Sequence, residues 1–398
     1  MFAKKSAQRE FAEMAARKFR ESGAKVARLD ERQFSLTLAS GAVINLHNVY
    51  GEYSKAESEN RSRIVDRFVA GMSAMNALPD DLAVAGHSLL PVVRSHWYFA
   101  LGGLQERAAG KSDRGGPAAK AEVSLAGDLV IRVAYDTELL TQIVTRKQLD
   151  KWRVSLDDAL VIAVNNLRGR TDAKKLLETS AGVYEGQWDD AYEPSRMLLK
   201  ELITGLPLRG DPVVFVPQRG RLLVAGSEDR DGLQAMIEKG KGSHFEPYAI
   251  SPYLYLLQHG KWEQFTPNDA ELRESLAFIA RQRLALDYRD QKGYLEAIYK
   301  KEETDVFVPT FQIWVDKETK REYSACVWTN GVDSLLPKTE RVVLLINVET
   351  KERIVVSWDT LQANVGRLME LESDLIRYRV RSFPGPEEIA KLRILAAP

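Results

Sequence analysis

The sequence is poor in cysteine, and this excludes two kinds of site. Cys326 is the single cysteine in 398 residues, so neither an intramolecular disulfide nor a zinc site made of cysteines can form. Such low cysteine usage is typical of proteins from a reducing compartment.

The sequence also lacks long apolar runs and an excess of charge of either sign. No stretch reaches the ~20 apolar residues of a membrane-spanning helix. The basic amino-terminal stretch MFAKKSAQREFAEMAARKF has no apolar core of the kind found in signal peptides. Lys plus Arg and Asp plus Glu number 56 each, which excludes a surface that is basic throughout. We expect a cytoplasmic protein with no membrane association.

Motifs for catalysis and cofactor binding are also absent. The sequence has no phosphate-binding loop, no dinucleotide-binding glycine motif and no HExxH metal motif. The stretch GHSLLP places Ser88 where a hydrolase nucleophile elbow has its serine, but Leu90 replaces the second glycine. Pro91 disfavours the helix that follows such an elbow. We interpret this stretch as a polar turn before a strand, and we predict no catalytic residue, no cofactor and no metal ligand.

The composition and the order of local patterns predict a globular α+β protein of several domains. Hydrophobic residues make up 44% and charged residues 28% of the chain, which is ordinary for a globular protein, and the length fits two or three domains. We predict two compact α+β units with mixed or antiparallel sheets, followed by a helical connector and a C-terminal α+β domain. The predicted boundaries are 1–104 for the first unit, 105–120 for a loop or linker, 121–266 for the second unit and 267–398 for the C-terminal domain.

Three local patterns are strong enough to place elements. Ser155 and Asp158 form a capping-box-like pair at the start of a helix. DPVVFVPQRGRLLVAG, at 211–226, has two apolar runs around a polar turn and predicts a buried hairpin. Two further hairpins are predicted in FVPTFQIWVDKETKREYSACVW and RVVLLINVETKERIVVSW, after a helix at 268–300.

A group of polar residues is our candidate for a polar site. YEGQWDDAYEPSRMLL, at 184–199, carries an acidic pair and an arginine that could bind a cation or a polar ligand. The candidate residues are Arg94, His96, Asp189, Asp190 and Arg196. A structural explanation is favoured, in which Asp189 or Asp190 caps a helix at about 191–204 and Arg196 pairs with a neighbouring carboxylate.

Two groups of arginines are candidates for contact with a partner. Arg219 and Arg221 lie in the turn of the 211–226 hairpin. The stretch IRYRVRS places Arg377, Arg379 and Arg381 on one face of a strand, where they could follow a phosphate backbone. A solvated strand face or a protein-binding edge is the commoner explanation of such a row.

Several distinct segments occur in one order over about residues 1–266. They are INLHNVYGEY, IVDRFVAGM, LLPVVRS, VIRVAYD, DDALVIAVNNL, DDAYEPSRMLL and GDPVVFVPQRGRLLVAG. In this order they resemble the bacterial YtpQ-like family, whose function is not known, so the resemblance implies no activity and no catalytic residue. The sequence departs from the shorter family pattern in the 105–120 loop and after about residue 267, where we expect an additional C-terminal domain that carries the functional specificity.

These observations favour binding over catalysis. We expect a non-catalytic adaptor with a protein partner, because the C-terminal domain is rich in the aromatic residues that anchor interfaces, namely Phe311, Trp314, Tyr323, Trp328 and Trp358. An unrecognised hydrolase-like enzyme near Arg94, Asp189 and Arg196 is the second hypothesis. A nucleic-acid-associated protein using the 377–381 arginines is the third and is disfavoured. The identity of the partner and the oligomeric state stay open.

Overall fold

The structure, a computed structural model, describes most of the chain. The described residues are 2–30, 34–38, 43–74, 78–108, 121–137, 141–245, 248–372 and 375–396. In the predicted loop at 105–120, residues 105–108 complete the helix that starts at His96, and residues 109–120 lie outside the described residues.

The described elements mix helices and strands, and the fold belongs to the predicted α+β class. The helices are α1 (Phe2–Glu21), α2 (His47–Lys55), α3 (Ser58–Ala74), α4 (Leu82–Ala85), α5 (His96–Ala108), α6 (Arg146–Trp152), α7 (Leu156–Gly169), α8 (Lys200–Thr204), α9 (Arg230–Gly240), α10 (Ala270–Lys301), α11 (Trp358–Val365) and α12 (Pro386–Leu395). The strands are β1 (Val26–Asp30), β2 (Ser35–Leu38), β3 (Val43–Asn45), β4 (Leu89–Ser95), β5 (Val123–Ala126), β6 (Leu129–Asp136), β7 (Thr141–Ile143), β8 (Leu176–Ser180), β9 (Val183–Gly186), β10 (Pro212–Phe215), β11 (Leu223–Gly226), β12 (Leu254–Gln258), β13 (Lys261–Phe265), β14 (Gln312–Val315), β15 (Glu322–Thr329), β16 (Ser334–Pro337), β17 (Arg341–Asn347), β18 (Glu352–Ser357), β19 (Glu370–Glu372) and β20 (Arg377–Val380). In the part of the chain that the structure describes, no helix combines the length and the apolar character needed to span a bilayer.

The chain forms two compact units, and it passes between them three times. The first unit consists of residues 1–90 and 133–166, and the second of residues 91–132 and 167–398. The domain boundaries drawn from the sequence divide the chain into consecutive stretches instead, and they stay a prediction.

The first unit has its core between α1, α3 and the sheet β1-β2-β3. Phe11 and Phe19 are buried on one face of α1, where they pack with Leu36 of β2 and Val65 of α3. Farther along the chain, the predicted cap of α7 is confirmed. The Ser155 hydroxyl accepts a hydrogen bond from the Asp158 backbone N–H at 3.0 Å and donates one to the Asp158 carboxylate at 2.6 Å.

The second unit contains an antiparallel six-stranded sheet in the order β13-β12-β10-β11-β9-β8. The predicted 211–226 hairpin is confirmed as β10 and β11 at the centre of this sheet, where Val213 pairs with Ala225 and Phe215 with Leu223. All four side chains are fully buried, and burying one such large apolar side chain contributes about 1.5–3 kcal/mol. This hairpin is therefore part of the core.

The helix predicted at 268–300 is the 32-residue α10. Asp269 caps it by accepting hydrogen bonds from the backbone N–H groups of residues 271 and 272. Its first turns bury Leu272 and Ile279 beside the six-stranded sheet, and its last turns bury Leu295 against Leu104 of α5.

Two smaller sheets follow α10 in the second unit. Their strand orders are β14-β15-β17-β18 and β16-β20-β19. Both predicted C-terminal hairpins are confirmed, since β14 pairs with β15 and β17 with β18 in antiparallel register. β15 and β17 are parallel, so the four-stranded sheet is mixed.

Candidate functional site

Two of the candidate residues in the 184–199 segment, Asp190 and Arg196, form an ion pair. Arg196 is fully buried, and its two terminal nitrogens donate hydrogen bonds to the two carboxylate oxygens of Asp190 at 2.8 and 2.7 Å. Its Nε donates to the Thr171 hydroxyl at 3.1 Å, and its guanidinium lies 4.3 Å from the centre of the Trp188 ring. The predicted pairing of Arg196 with a neighbouring carboxylate is confirmed.

Asp190 also acts locally on the backbone. Its Oδ1 accepts a hydrogen bond from the Tyr192 N–H at 2.8 Å. Although burial opposes it, the Arg196 guanidinium holds the pKa of Asp190 below its usual value. Asp189 is exposed and has a φ of +54°, the left-handed conformation of a tight turn.

The single helix expected at 191–204 is wrong in detail. A 3₁₀ turn, Pro194–Leu198, precedes the short helix α8. Leu199, with a ψ of 74°, separates the two and interrupts helical hydrogen bonding.

Arg94 reaches the same segment and is not part of an ion pair there. It lies on β4, is 7% exposed, and donates to the carbonyls of Val93 at 2.7 Å and Ala191 at 3.3 Å. The nearby Arg219 lies 5.4 Å from the centre of the Tyr248 ring, and its Nε is buried without a hydrogen-bond partner among the described residues. The positive charge of Arg219 acts on Arg94 and contributes to lowering its pKa, although the sequence placed the two residues in separate groups.

The remaining arginine candidates have partners. Arg221 pairs with Glu185 at 3.1 Å and donates to the Lys239 carbonyl at 2.6 Å. Arg379 pairs with Asp333 at 2.6 Å, and Arg381 pairs with Glu370 just beyond the end of β20.

The expectation that three arginines share one accessible strand face is wrong for Arg377. Its side chain is 0% exposed and hydrogen-bonds to Gln291 and to main-chain carbonyls. A guanidinium enclosed in this way is not available to a phosphate backbone. The physical reason is that β20 is covered on this side by α10, which carries Gln291 and Tyr288.

The Gly86–Ser88 stretch is a 3₁₀ turn before β4, as the sequence predicted. Asn166 fixes it by donating to the carbonyls of Gly86 at 2.8 Å and Leu89 at 2.9 Å. The nucleophile-elbow alternative has no strand-to-helix turn to support it.

His96, the remaining candidate, lines a cavity of about 850 Å³ in the second unit. Its backbone N–H donates to the Asp128 carbonyl at 2.7 Å. Its ring Nε2 is buried and has no hydrogen-bond partner among the described residues.

The cavity has aromatic walls and several charged groups. The aromatic side chains are Trp97, Tyr253, Tyr288 and Trp358, and the charged ones are Asp128, Lys338, Glu340 and Asp359. The rings of Trp97 and Tyr288 meet edge to face, with centres 4.7 Å apart. The Tyr288 hydroxyl donates to the Ile376 carbonyl at 2.8 Å and accepts from the Lys338 N–H at 3.0 Å, so this wall is held in place.

Two of the three carboxylates are held by hydrogen bonds. Asp128 Oδ1 accepts from the hydroxyls of Ser251 at 2.7 Å and Tyr255 at 2.5 Å. Glu340 accepts from the backbone N–H of Ser324 at 2.6 Å and from Arg281 at 3.1 Å. Burial raises the pKa of Asp128 to about 6, against the effect of its two hydroxyl donors.

The sequence analysis did not find this cavity. Its lining comes from loops and from elements that are far apart in the sequence, namely α5, β5, β6, β13, α10, β15 and α11. The single local signal was His96, chosen for a different reason. Within the described ranges, no group of three or more His, Cys, Asp or Glu side chains is arranged to hold a metal ion.

Comparison of the chain with models of protein families, with curated proteins and with solved structures gives no match.

Proposed function

We propose that this protein is a non-catalytic binding protein, and that its cavity receives a lysine or arginine side chain of a partner protein. The observation that carries this proposal is the cavity itself, whose volume of about 850 Å³ is typical of a ligand site. Its aromatic walls and acidic side chains are complementary to an organic cation.

The balance of charge supports a basic side chain as the occupant. Three carboxyl groups, those of Asp128, Glu340 and Asp359, line the cavity together with one ammonium group, that of Lys338. Glu340 is already paired with Arg281, so Asp128 and Asp359 supply the excess of negative charge over Lys338. Cations are attracted to the faces of Trp and Tyr rings by about 0.5–2 kcal/mol, more when desolvated. An aliphatic stem of lysine or arginine also packs well against such rings.

The described residues offer little support for catalysis at this site. The His96 Nε2 has no hydrogen bond to a hydroxyl group, so no serine or threonine in the described residues is activated by it. The Ser324 hydroxyl donates to Glu340 at 2.9 Å, and the Thr339 hydroxyl donates to the Arg341 carbonyl at 2.8 Å. Burial raises the pKa of the Cys326 thiol to about 12, so this cysteine is not a nucleophile at neutral pH.

The two other functional hypotheses have less support. The polar group expected to form a hydrolase-like site contains the Asp190–Arg196 ion pair, which is an ordinary structural contact. The nucleic-acid hypothesis relied on Arg377, Arg379 and Arg381; Arg377 is enclosed, and the other two are in ion pairs. The YtpQ-like resemblance and the cytoplasmic location remain proposals, and neither adds an activity.

Titration calorimetry with a capped amino acid tests the proposal on the full chain. N-acetyl-lysine methylamide and the arginine equivalent are the probes, and the norleucine equivalent lacks only the charge. We expect at least one basic probe to bind about tenfold or more tightly than norleucine, because that difference corresponds to about 1.4 kcal/mol of charge recognition. Equal binding of all three probes, or no binding, overturns the proposal.

A cavity-filling variant locates the binding. Ser124 lies on β5, is exposed and lines the cavity, so Ser124→Trp fills part of it. Thr179→Trp is the matched control, because Thr179 is also an exposed strand residue and does not line the cavity. We expect S124W to abolish binding of the basic probe and T179W to retain it. Retention by S124W places the binding elsewhere and overturns the assignment.

A further inference from the structure

Arg94 is a buried positive charge without a carboxylate partner. Its side chain is 7% exposed, and its two hydrogen bonds go to the neutral carbonyls of Val93 and Ala191. Among the described residues, no carboxylate oxygen lies within 4.0 Å of its guanidinium. Buried charges in proteins are usually paired, because an unpaired charge loses its hydration without compensation.

A second guanidinium, that of Arg219, is close enough for its charge to act on Arg94. Its Nε is buried without a partner, and no described carboxylate lies within 4.0 Å of it either. Its backbone N–H donates to the Tyr248 carbonyl at 3.0 Å, which holds the residue in the middle of the β10–β11 turn. Burial, and after it the positive charge of Arg219, lower the pKa of Arg94 to about 10, so Arg94 remains charged at neutral pH. Two like charges are thus held near each other in a partly desolvated place.

Glu193 is a carboxyl group whose charge acts on Arg94, and it is poorly suited to neutralise the pair. Glu193 is 1% exposed, and its Oε1 accepts a hydrogen bond from the Asp190 N–H at 3.0 Å. Its Oε2 is buried and has no hydrogen-bond partner among the described residues. Burial, with a contribution from the charge of Asp190, raises the pKa of Glu193 to about 7. Near neutral pH this side chain therefore carries only part of a negative charge.

Other arginines of the same region show what a satisfied guanidinium looks like here. Arg196 has the carboxylate of Asp190, and Arg221 has the carboxylate of Glu185. Arg221 lies two residues from Arg219 in the same turn. The absence of a counter-ion is therefore particular to Arg94 and Arg219 and is not a general property of this turn.

We propose that Arg94 and Arg219 form a binding site for an oxyanion, a phosphate or carboxylate group carried by a small ligand. The planar guanidinium forks match the oxygens of both groups, and two arginines are a common way to hold such an anion. Arg94 uses two of its five N–H donors on carbonyls, which leaves donors for a ligand. This inference is independent of the cavity and of the proposed function, because none of the cavity-lining side chains takes part in it.

Calorimetric titration of the full chain with inorganic phosphate, and separately with succinate, tests the site. Sodium chloride at matched ionic strength is the control for non-specific screening. We expect saturable binding of at least one anion, together with a rise in the unfolding temperature as the anion stabilises the native state. Binding of phosphate alone indicates a phosphorylated ligand, and binding of succinate alone indicates a carboxylate ligand. No saturable binding of either anion overturns the proposal.

Two variants separate the site from its surroundings. Arg219→Gln removes one guanidinium from a partly exposed position, and we expect at least about tenfold weaker anion binding. Arg221→Gln is the matched control in the same turn, and we expect it to bind the anion as tightly as the natural chain does. Equal binding by R219Q and the natural chain contradicts the proposal.

Arg94→Lys provides a second test that keeps the buried charge. It retains a cation but lacks the planar fork, so we expect weaker anion binding with an unchanged circular dichroism spectrum. If R94K fails to fold, the result with R219Q still decides the question, because Arg219 lies at the edge of the region.

Discussion

Two regions of the second unit each bury an arginine without a carboxylate, and they do so in different ways. In the C-terminal region, Arg377 donates from Nε to Gln291, from one terminal nitrogen to the Pro309 and Leu335 carbonyls at 3.4 and 2.9 Å, and from the other to the Tyr288 carbonyl at 3.2 Å. In the β4 region, Arg94 makes two such hydrogen bonds. The N–H donors of Arg377 are thus nearly all occupied by hydrogen bonds, and those of Arg94 are not.

The sign of the neighbouring charge also differs. Burial is the main reason that the pKa of each arginine falls to about 10. The next influence on Arg377 is Tyr288, which favours the charged form, whereas the next influence on Arg94 is Arg219, which opposes it. Burial alone therefore does not distinguish an arginine that supports the fold from one proposed to bind a ligand. The number of occupied N–H donors and the charge of the neighbouring groups distinguish the two.

The largest effect on stability is expected when Arg377, whose N–H donors are nearly all occupied, is replaced. Arg377→Gln should lower the free energy of unfolding by about 4 kcal/mol, because several buried carbonyls lose their donors at once. Urea denaturation measures it. Arg381→Gln is the control, since Arg381 is exposed and should change stability by less than about 0.5 kcal/mol. A small effect of R377Q would contradict the structural role of this arginine.

Removal of the Asp190 carboxylate, the partner of Arg196, comes next. Asp190→Asn leaves the buried Arg196 without its counter-ion and should lower the free energy of unfolding by about 2 kcal/mol, less than for a fully enclosed pair because Asp190 is partly exposed. The same denaturation experiment measures it. No loss of stability would mean that Arg196, like Arg377, is satisfied without a carboxylate.

Asp128 is compared with Asp190, because removing its charge is expected to raise the free energy of unfolding and not to lower it. Its pKa is raised from 3.8 to about 6, so the native state binds its proton more tightly than the unfolded chain does. Stability from this group is therefore present below about pH 4 and is lost as the pH rises to about 6. Asp128→Asn keeps the hydrogen-bond acceptor for Ser251 and Tyr255, and should raise the free energy of unfolding at pH 7 by about 2 kcal/mol. A series of denaturation curves from pH 4 to 7 should converge at the acidic end, and a constant difference would count against this account.

The smallest effect on stability is expected when Arg219, which acts on the incompletely bonded Arg94, is replaced. In buffer free of phosphate and carboxylates, Arg219→Gln should raise the free energy of unfolding by less than about 1 kcal/mol, because it relieves repulsion of Arg94. In phosphate the sign of the difference should reverse, since only the natural chain gains from binding the anion. Thermal unfolding in the two buffers measures both. A destabilised R219Q in the anion-free buffer would show that Arg219 supports the fold.

The local elements were predictable because their signals are local. Ser155 and Asp158 are three residues apart, and the apolar runs that become β10 and β11 adjoin their own turn. The strand pairs of the two C-terminal hairpins are likewise near each other in the sequence. For such elements, neighbouring residues supply the helix cap or the hairpin pairing that the local pattern predicts.

The arginines were not predictable, because distant residues decide their environment. A strand reading RYRVR is typical of a solvated face, and Arg377 is buried by Tyr288 and Gln291, which lie nearly 90 residues earlier in the sequence. Arg94 and Arg219 come together across more than 100 residues. The sequence analysis listed both as candidates, but it did not show that the charge of Arg219 acts on Arg94. The cavity around His96 escaped notice for the same reason.

The division of the second unit into two stretches has a consequence for its synthesis on the ribosome. Residues 91–132 emerge first, followed by residues 133–166, which belong to the other unit. The first unit has all its residues once 166 has emerged, whereas α5 waits until the chain from 167 onward is made. During that interval Trp97 and Leu104 of α5 lack the side chains of Tyr288, Phe311 and Leu295 that later pack against them, and exposed apolar segments of nascent chains are prone to aggregate. We therefore expect α5 to need protection by a chaperone while the rest of the second unit is made.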